Sequence, residues 1–136
     1  MPQGLVFLPM NKYSNKFSLK SRLQSFRFAF KGLGALLKFE HNSRIHLFAA
    51  AATIILGLLM KIGLSEWSLL VLIIGMVFIT ELLNSSLESL GDKINPEFDE
   101  MIGRAKNYSA AAVLVAAIAA IMVGAIIFFP KFWALI

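Results

Sequence analysis

The chain contains no cysteine. That removes a disulfide framework, a thiolate nucleophile and any cysteine-based zinc site. Charge is scarce too: charged residues are 15% of the chain and hydrophobic residues 58%, far from the balance of a soluble globular domain. Acids are nearly absent from the first half, where Glu40 is the only one before Glu66. There is no GxxxxGKS/T phosphate loop and no glycine-rich kinase loop, because Gly32 and Gly34 form only an isolated GxG. HExxH, a GxSxG elbow and internal repeats are also missing. A soluble-type kinase fold is thus excluded by motif and by composition. His41 and His46 are five apart, off a common helical face, which argues against a shared zinc site.

What is present is long apolar runs. Residues 1–17 carry Pro2, Pro9 and Gly4 without helical period and read as a flexible tail. Residues 18–44 predict an amphipathic surface helix, with Leu19, Leu23, Phe26, Phe30, Leu33 and Leu37 on one side and basic residues mostly on the other. Three spans follow, at 45–64, 67–92 and 107–130, with Trp67 and Trp133 placed as interface anchors. The expected fold is an all-α integral membrane protein: one surface helix and three transmembrane helices in a single membrane domain over 18–136. Eight of the thirteen Lys and Arg lie before position 45, so the positive-inside rule puts the N-terminus in the cytoplasm. The acidic section between the second and third spans then shares that side, where ATP and magnesium are. A nucleic-acid binder would not be this apolar.

One stretch stands out. In VFITELLNSSLESLGD, from Val77 to Asp92, the residues Glu81, Asn84, Ser85, Glu88 and Asp92 fall on one face of a helix at about 3.6 residues per turn. Ionisable groups at membrane depth are rare and usually functional. Glu81, two turns deeper than Glu88, suits a general base that takes a proton from a lipid hydroxyl; the structural alternative is a carboxyl hydrogen-bonded between helices. Glu88 and Glu40 suit magnesium, which takes one or two carboxylates plus phosphate oxygens and water; Glu40 alone also reads as a solvated acid. Asn84 orients a carboxylate or bridges to a phosphate; the structural alternative is a helix–helix hydrogen bond. Lys106, in GRAKN, reaches a nucleotide phosphate or marks the membrane boundary. A rival class is a small oligomeric ion or proton conduit whose polar seam is Glu81 and Glu88. It leaves Glu40 and the basic surface helix unexplained.

At ELLNSSLESLGD the sequence resembles the bacterial integral-membrane lipid kinases, that is, the prokaryotic diacylglycerol kinases and the related undecaprenol kinases. The signature is Glu81, Leu82, Leu83, Asn84, Ser85, Ser86, Leu87, Glu88 and then Asp92. It extends upstream through Phe30, Lys31, Gly32 and Leu33 to Glu40, and downstream through AKNYSAAAVLVAA from Ala105 to Ala117. The resemblance implies a homotrimer in the bacterial cytoplasmic membrane that transfers the γ-phosphate of MgATP to a lipid hydroxyl. It implies Glu81 as base, Glu40 and Glu88 as magnesium ligands, and Lys106 at the nucleotide phosphates. Phe28, Glu97, Phe98, Asp99 and Asn107 would lie near the nucleotide, with Arg22, Lys31, Asn84 and Asp92 in support. Asn107 stands where the family usually has Asp, which keeps hydrogen bonding but loses a charge. Phe28 stands where an aromatic, often Tyr, can stack. The segment EHNSRIH, from Glu40 to His46, and the pair Glu66-Trp67 look more like the undecaprenol branch; the sequence does not choose the lipid.

Overall fold

A computed structural model describes residues 18–95, 97 and 99–134. The expected tail 1–17 and Phe98 lie outside the described residues. The chain divides into two units, up to Gly32 and from Leu33 onward. Four helices run in order: α1 Leu19–Phe39, α2 His41–Leu59, α3 Leu64–Ile94 and α4 Glu100–Trp133. Among the described residues there is no strand. The last three helices are long and apolar enough to cross a membrane. In the first unit, the α1 side chains Leu19, Leu23, Phe26 and Phe30 all stand exposed.

The break between α1 and α2 falls at Glu40, four residues earlier than the end of the expected surface helix at Arg44. Glu40 is extended (φ −97°, ψ 118°) although helix continues on both sides. Ending a helix orphans its last carbonyls. Arg44 answers this by reaching back: its Nε donates to the Leu37 carbonyl at 3.0 Å and its Nη2 to the Lys38 carbonyl at 2.7 Å. One guanidinium serves two acceptors, a task that suits a planar fork of donors. Arg44→Ala is therefore expected to cost about 1–2 kcal/mol in thermal unfolding of the detergent-solubilised protein. Arg44→Lys should recover little of it, because an ammonium is a point charge; full recovery would show that a single contact suffices.

On α2, Ser43, His46, Ala50, Thr53 and Gly57 recur at intervals of three and four and form one stripe. These residues are buried or half-buried, while Ile45, Phe48, Ile55, Leu58 and Leu59 point outward and are exposed. Large apolar residues outside and small or polar residues inside is the arrangement of a helix whose outer solvent is lipid, since helix contacts there depend on close packing. At Gly57 a side chain would be tight: an added Cβ would sit 3.0 Å from Ile62 and 3.1 Å from Trp67, so those side chains would have to give way. The turn that follows is tight. Lys61 adopts a left-handed conformation (φ 50°), the Ile62 N–H reaches the Gly57 carbonyl at 3.1 Å, and the Lys61 N–H lies 3.3 Å from that of Leu58. This is a Schellman ending with lysine where glycine is usual. Glu66 then caps the start of α3 by accepting from the Gly63 N–H at 2.7 Å.

Helix α3 has 31 residues. At 1.5 Å per residue it is about 46 Å long, against a hydrocarbon thickness of about 30 Å. A helix of that length exceeds a single span, with Glu81 in its second half and Asn84 to Ile94 forming its end. Helix α4 packs antiparallel along α3 and starts seven residues before the expected span. Asp99 sets that start: its Oδ1 accepts from the Ile102 N–H at 2.9 Å, filling one orphan donor. Asn95 Oδ1 accepts from the Glu97 N–H at 3.1 Å and shapes the link between the two helices.

At the α2–α3 turn end, Ile62, Leu70, Ile127 and Phe128 form the packed core, with Leu56, Met60, Trp67, Ile74 and Val123 against it. An ion pair between Lys131 Nζ and Glu66 Oε1 at 3.0 Å ties the end of α4 to the start of α3 there. The opposite end of the same two helices carries the polar residues.

Candidate active site

Glu81 is the centre of that polar end. Its side chain is 4% exposed, on the face of α3 turned toward α2. Two α2 residues meet it. Ser43, fully buried, donates its hydroxyl to Glu81 Oε2 at 3.3 Å. His46 Nε2 approaches Oε1 at 3.1 Å, but the ring N–H is not aimed along the contact, so Oε1 lies buried without a formed hydrogen bond. A carboxylate enclosed this way has one oxygen held and one in reserve, an arrangement able to accept a proton.

One turn on, Asn84 Nδ2 donates to Glu88 Oε1 at 3.0 Å. The Asn84 carbonyl oxygen faces α4, where Ser109 Oγ lies 2.7 Å away and also 2.8 Å from the Lys106 carbonyl. The hydroxyl has a single proton and serves one acceptor at a time. Asn84 thereby contacts Glu88 on its own helix and Ser109 on α4. Another turn on, Lys106 Nζ pairs with Asp92 Oδ1. The stripe from Glu81 to Asp92 is one face in space as well as in register.

Close approach of α4 makes this possible. A Cβ added at Gly91 would lie 2.9 Å from both Ile102 Cγ2 and Lys106 Cε. Gly91→Ala is expected to push Lys106 away from Asp92 and to destabilise the α3–α4 packing by about 1–3 kcal/mol despite the better helix propensity of alanine. Thermal unfolding of the variant checks this; a rise in stability would show that Ile102 and Lys106 yield freely.

The remaining expected residues fall as follows. Glu40 sits at the corner between α1 and α2, half-buried, and among the described residues no hydrogen bond or ion pair reaches its carboxylate. Asp99 is the cap of α4, a role that its sequence position before an apolar helix signals but that the resemblance did not supply. Glu97 and Asn107 are exposed. Arg22, Phe28 and Lys31 belong to the first unit, where Lys31 Nζ lies 5.9 Å from the centroid of the Phe28 ring. Ser43, His46, Ser109 and Gly91 were not anticipated from sequence. The signal for Ser43 and His46 was available: two polar residues three apart, on the small-residue stripe of an otherwise apolar span.

Among the described residues no cluster of three or more His, Asp or Glu gathers as a closed metal cage. The donors present nevertheless fit a hard cation that brings phosphate oxygens and water with it, which needs only one or two carboxylates. Glu88 has its second oxygen uncommitted, and Glu40 has both.

Residues 27–128, a stretch that takes in all of α2 and α3 and most of α4, match the family described as prokaryotic diacylglycerol kinase. The chain is 33% identical to an undecaprenol kinase of Bacillus subtilis, over 90% of this chain and 99% of that one. It is 36% identical to a diacylglycerol kinase of Synechocystis, over 95% of this chain and 78% of the relative. Against the diacylglycerol kinase of Escherichia coli K12 the identity is 31%, over 77% and 86%. An acid stripe on a spanning helix, a buried carboxylate and this breadth of likeness agree: the chain belongs to the prokaryotic diacylglycerol kinase family.

Proposed function

We propose that the protein is a lipid kinase of the bacterial cytoplasmic membrane, moving the γ-phosphate of ATP to the hydroxyl of a membrane lipid, diacylglycerol or undecaprenol. The relatives carry names for both lipids. The observation that supports this reading is Glu81 enclosed in protein on a helix long and apolar enough to span, with Asn84, Glu88, Asp92 and Lys106 following it toward the polar end. A lipid alcohol stays at the interface, so a base for it belongs just below the headgroups, and nucleotide groups belong just above.

In this reading Glu81 accepts the hydroxyl proton while the oxygen attacks phosphorus in line with the departing ADP. Ser43 holds one carboxylate oxygen and leaves the other for the proton. Glu40 and Glu88 hold magnesium, which when bound neutralises charge on the β- and γ-phosphates. Asn84 fixes the rotamer of Glu88. Lys106, steadied by Asp92, presents further donors to the phosphates. The family resemblance adds Phe28, Glu97, Phe98, Asp99 and Asn107 as nucleotide-binding candidates, with Arg22 and Lys31 in support. The active assembly is a homotrimer with cytoplasmic N-termini.

Purified protein in bilayers, given magnesium, labelled ATP and each lipid in turn, should label at least one of them. Label on neither lipid, with the oligomer intact, overturns the proposal. Nothing in the geometry favours the conduit over the kinase.

A further inference from the structure

The buried base raises a question of proton balance. Each turnover places one proton on Glu81, and the carboxyl must lose it before the next lipid can react. Glu81 is 4% exposed and cannot release a proton straight to water. Among the described residues, two polar side chains come within reach of its carboxylate, Ser43 and His46. Ser43 is fully buried and does not titrate in the ordinary range. His46 is 22% exposed, so its ring meets Glu81 without being itself enclosed.

We propose that His46 carries the proton from Glu81 to the membrane surface after each phosphoryl transfer. The inference rests on Glu81 being the base. The step balances as follows. The lipid O–H gives its proton to Glu81 as the new O–P bond forms and the bond to the ADP oxygen breaks. In the tautomer protonated at Nδ1, the imidazole turns its bare Nε2 to Oε1, takes that proton, and becomes imidazolium. Its Nδ1 proton then passes to water or buffer, leaving an ionised Glu81 and a ring protonated at Nε2, which returns to the Nδ1–H tautomer by exchanging protons with water before the next turnover. Histidine is the side chain whose ordinary pKa suits such a shuttle near neutral pH.

Position favours this exit. His46 lies in the second turn of α2, and the first turn carries exposed His41, Asn42 and Arg44. Below it the groove between α2 and α3 is walled mainly by apolar side chains such as Ala49, Ala50, Leu70, Ile74 and Val77, and the Thr53 hydroxyl there donates back to the Ala49 carbonyl. Among the described residues Glu40, Lys93, Glu100 and Arg104 make no ion pair, with His46 or any other group, and the charged groups nearest the polar end are engaged elsewhere. On α3, Glu88 accepts from Asn84 and Asp92 pairs with Lys106 of α4. Arg44 is held by the α1 carbonyls. None of them makes an ion pair with His46. His46 is thus a positioning residue for Glu81 that also empties it.

The test is a set of variants of the full chain in bilayers. His46→Gln keeps a hydrogen-bond donor of similar reach but cannot carry a proton. It should lower kcat by about tenfold or more while KM for MgATP stays within about twofold. His46→Ala should be equally slow, and free imidazole in the buffer should restore its turnover in a concentration-dependent way. His46→Gln at the wild-type rate, or His46→Ala indifferent to imidazole, overturns the proposal. A second readout does not depend on those variants folding: the pH titration of the His46 ring, followed by NMR, should change on Glu81→Gln, and an unchanged titration breaks the link between the two side chains. Glu81→Gln run in the same assay separates the failures. If it turns over normally, the base assignment is lost; if it is inactive while the His46 variants are normal, only the relay is lost.

Discussion

Glu81→Gln is expected to reduce turnover by about 10²–10⁴-fold, the range in which a positioned acid–base group contributes. The amide matches the carboxylate in size and still has an oxygen to accept from Ser43. It cannot take a proton from an alcohol. The side chain is nearly closed off from solvent, so no water enters easily to act in its place. Nucleotide affinity should change little, because Glu88 and Lys106 are held by Asn84 and Asp92 and not by Glu81. Lipid labelling rates together with binding of a non-hydrolysable ATP analogue give both quantities. Turnover at the wild-type rate would remove Glu81 from the role of base.

The second large effect concerns Glu40 and Glu88. Each changed alone to Gln should lower turnover by at least about 10²-fold, beyond the 10–100-fold typical of losing an outer partner of a metal ligand. Excess magnesium should recover part of each loss. If the two carboxylates share one cation, the double variant should be scarcely worse than the poorer single, because groups acting as a unit are far from additive. A double variant whose loss is the product of the two single losses shows that they act independently, and the shared ion fails. Glu88→Gln also keeps an acceptor for Asn84, so the helix contact through Ser109 should persist and the comparison is fair.

Much of this was readable in the order of residues, for a physical reason. Hydrophobic length alone picks out helices able to span a bilayer, and three were found. The stripe from Glu81 to Asp92 follows from helical spacing inside one element, and its hydrogen bonds and ion pair lie along it. Boundaries were harder, because they depend on single side chains that act at a distance. Arg44 fixes the corner at Glu40 by reaching back to carbonyls six and seven residues away, and Asp99 starts α4 well before its apolar run begins. The surroundings of Glu81 were hardest. Ser43 and His46 join it across a separation of 38 and 35 residues, and His46 had been weighed only against His41. The helical period marks a stripe on α2 but does not by itself say which side of it turns toward α3. Size encodes it: the small side of the stripe turns in because only there can two backbones draw near, as the crowding at Gly57 records.

The division of α3 and α4 into a packed end and a polar end carries a consequence for adaptability. Ile62, Leu70, Ile127 and Phe128, with the clasp of Lys131 on Glu66, anchor the bundle at the pole remote from Glu81. Changes around Ser43, His46 or Asn107 leave that anchor untouched. A scaffold built this way can be retuned toward a different alcohol at its working pole without relearning how to fold, and kinases named for two unlike lipids among its relatives are what such a scaffold permits.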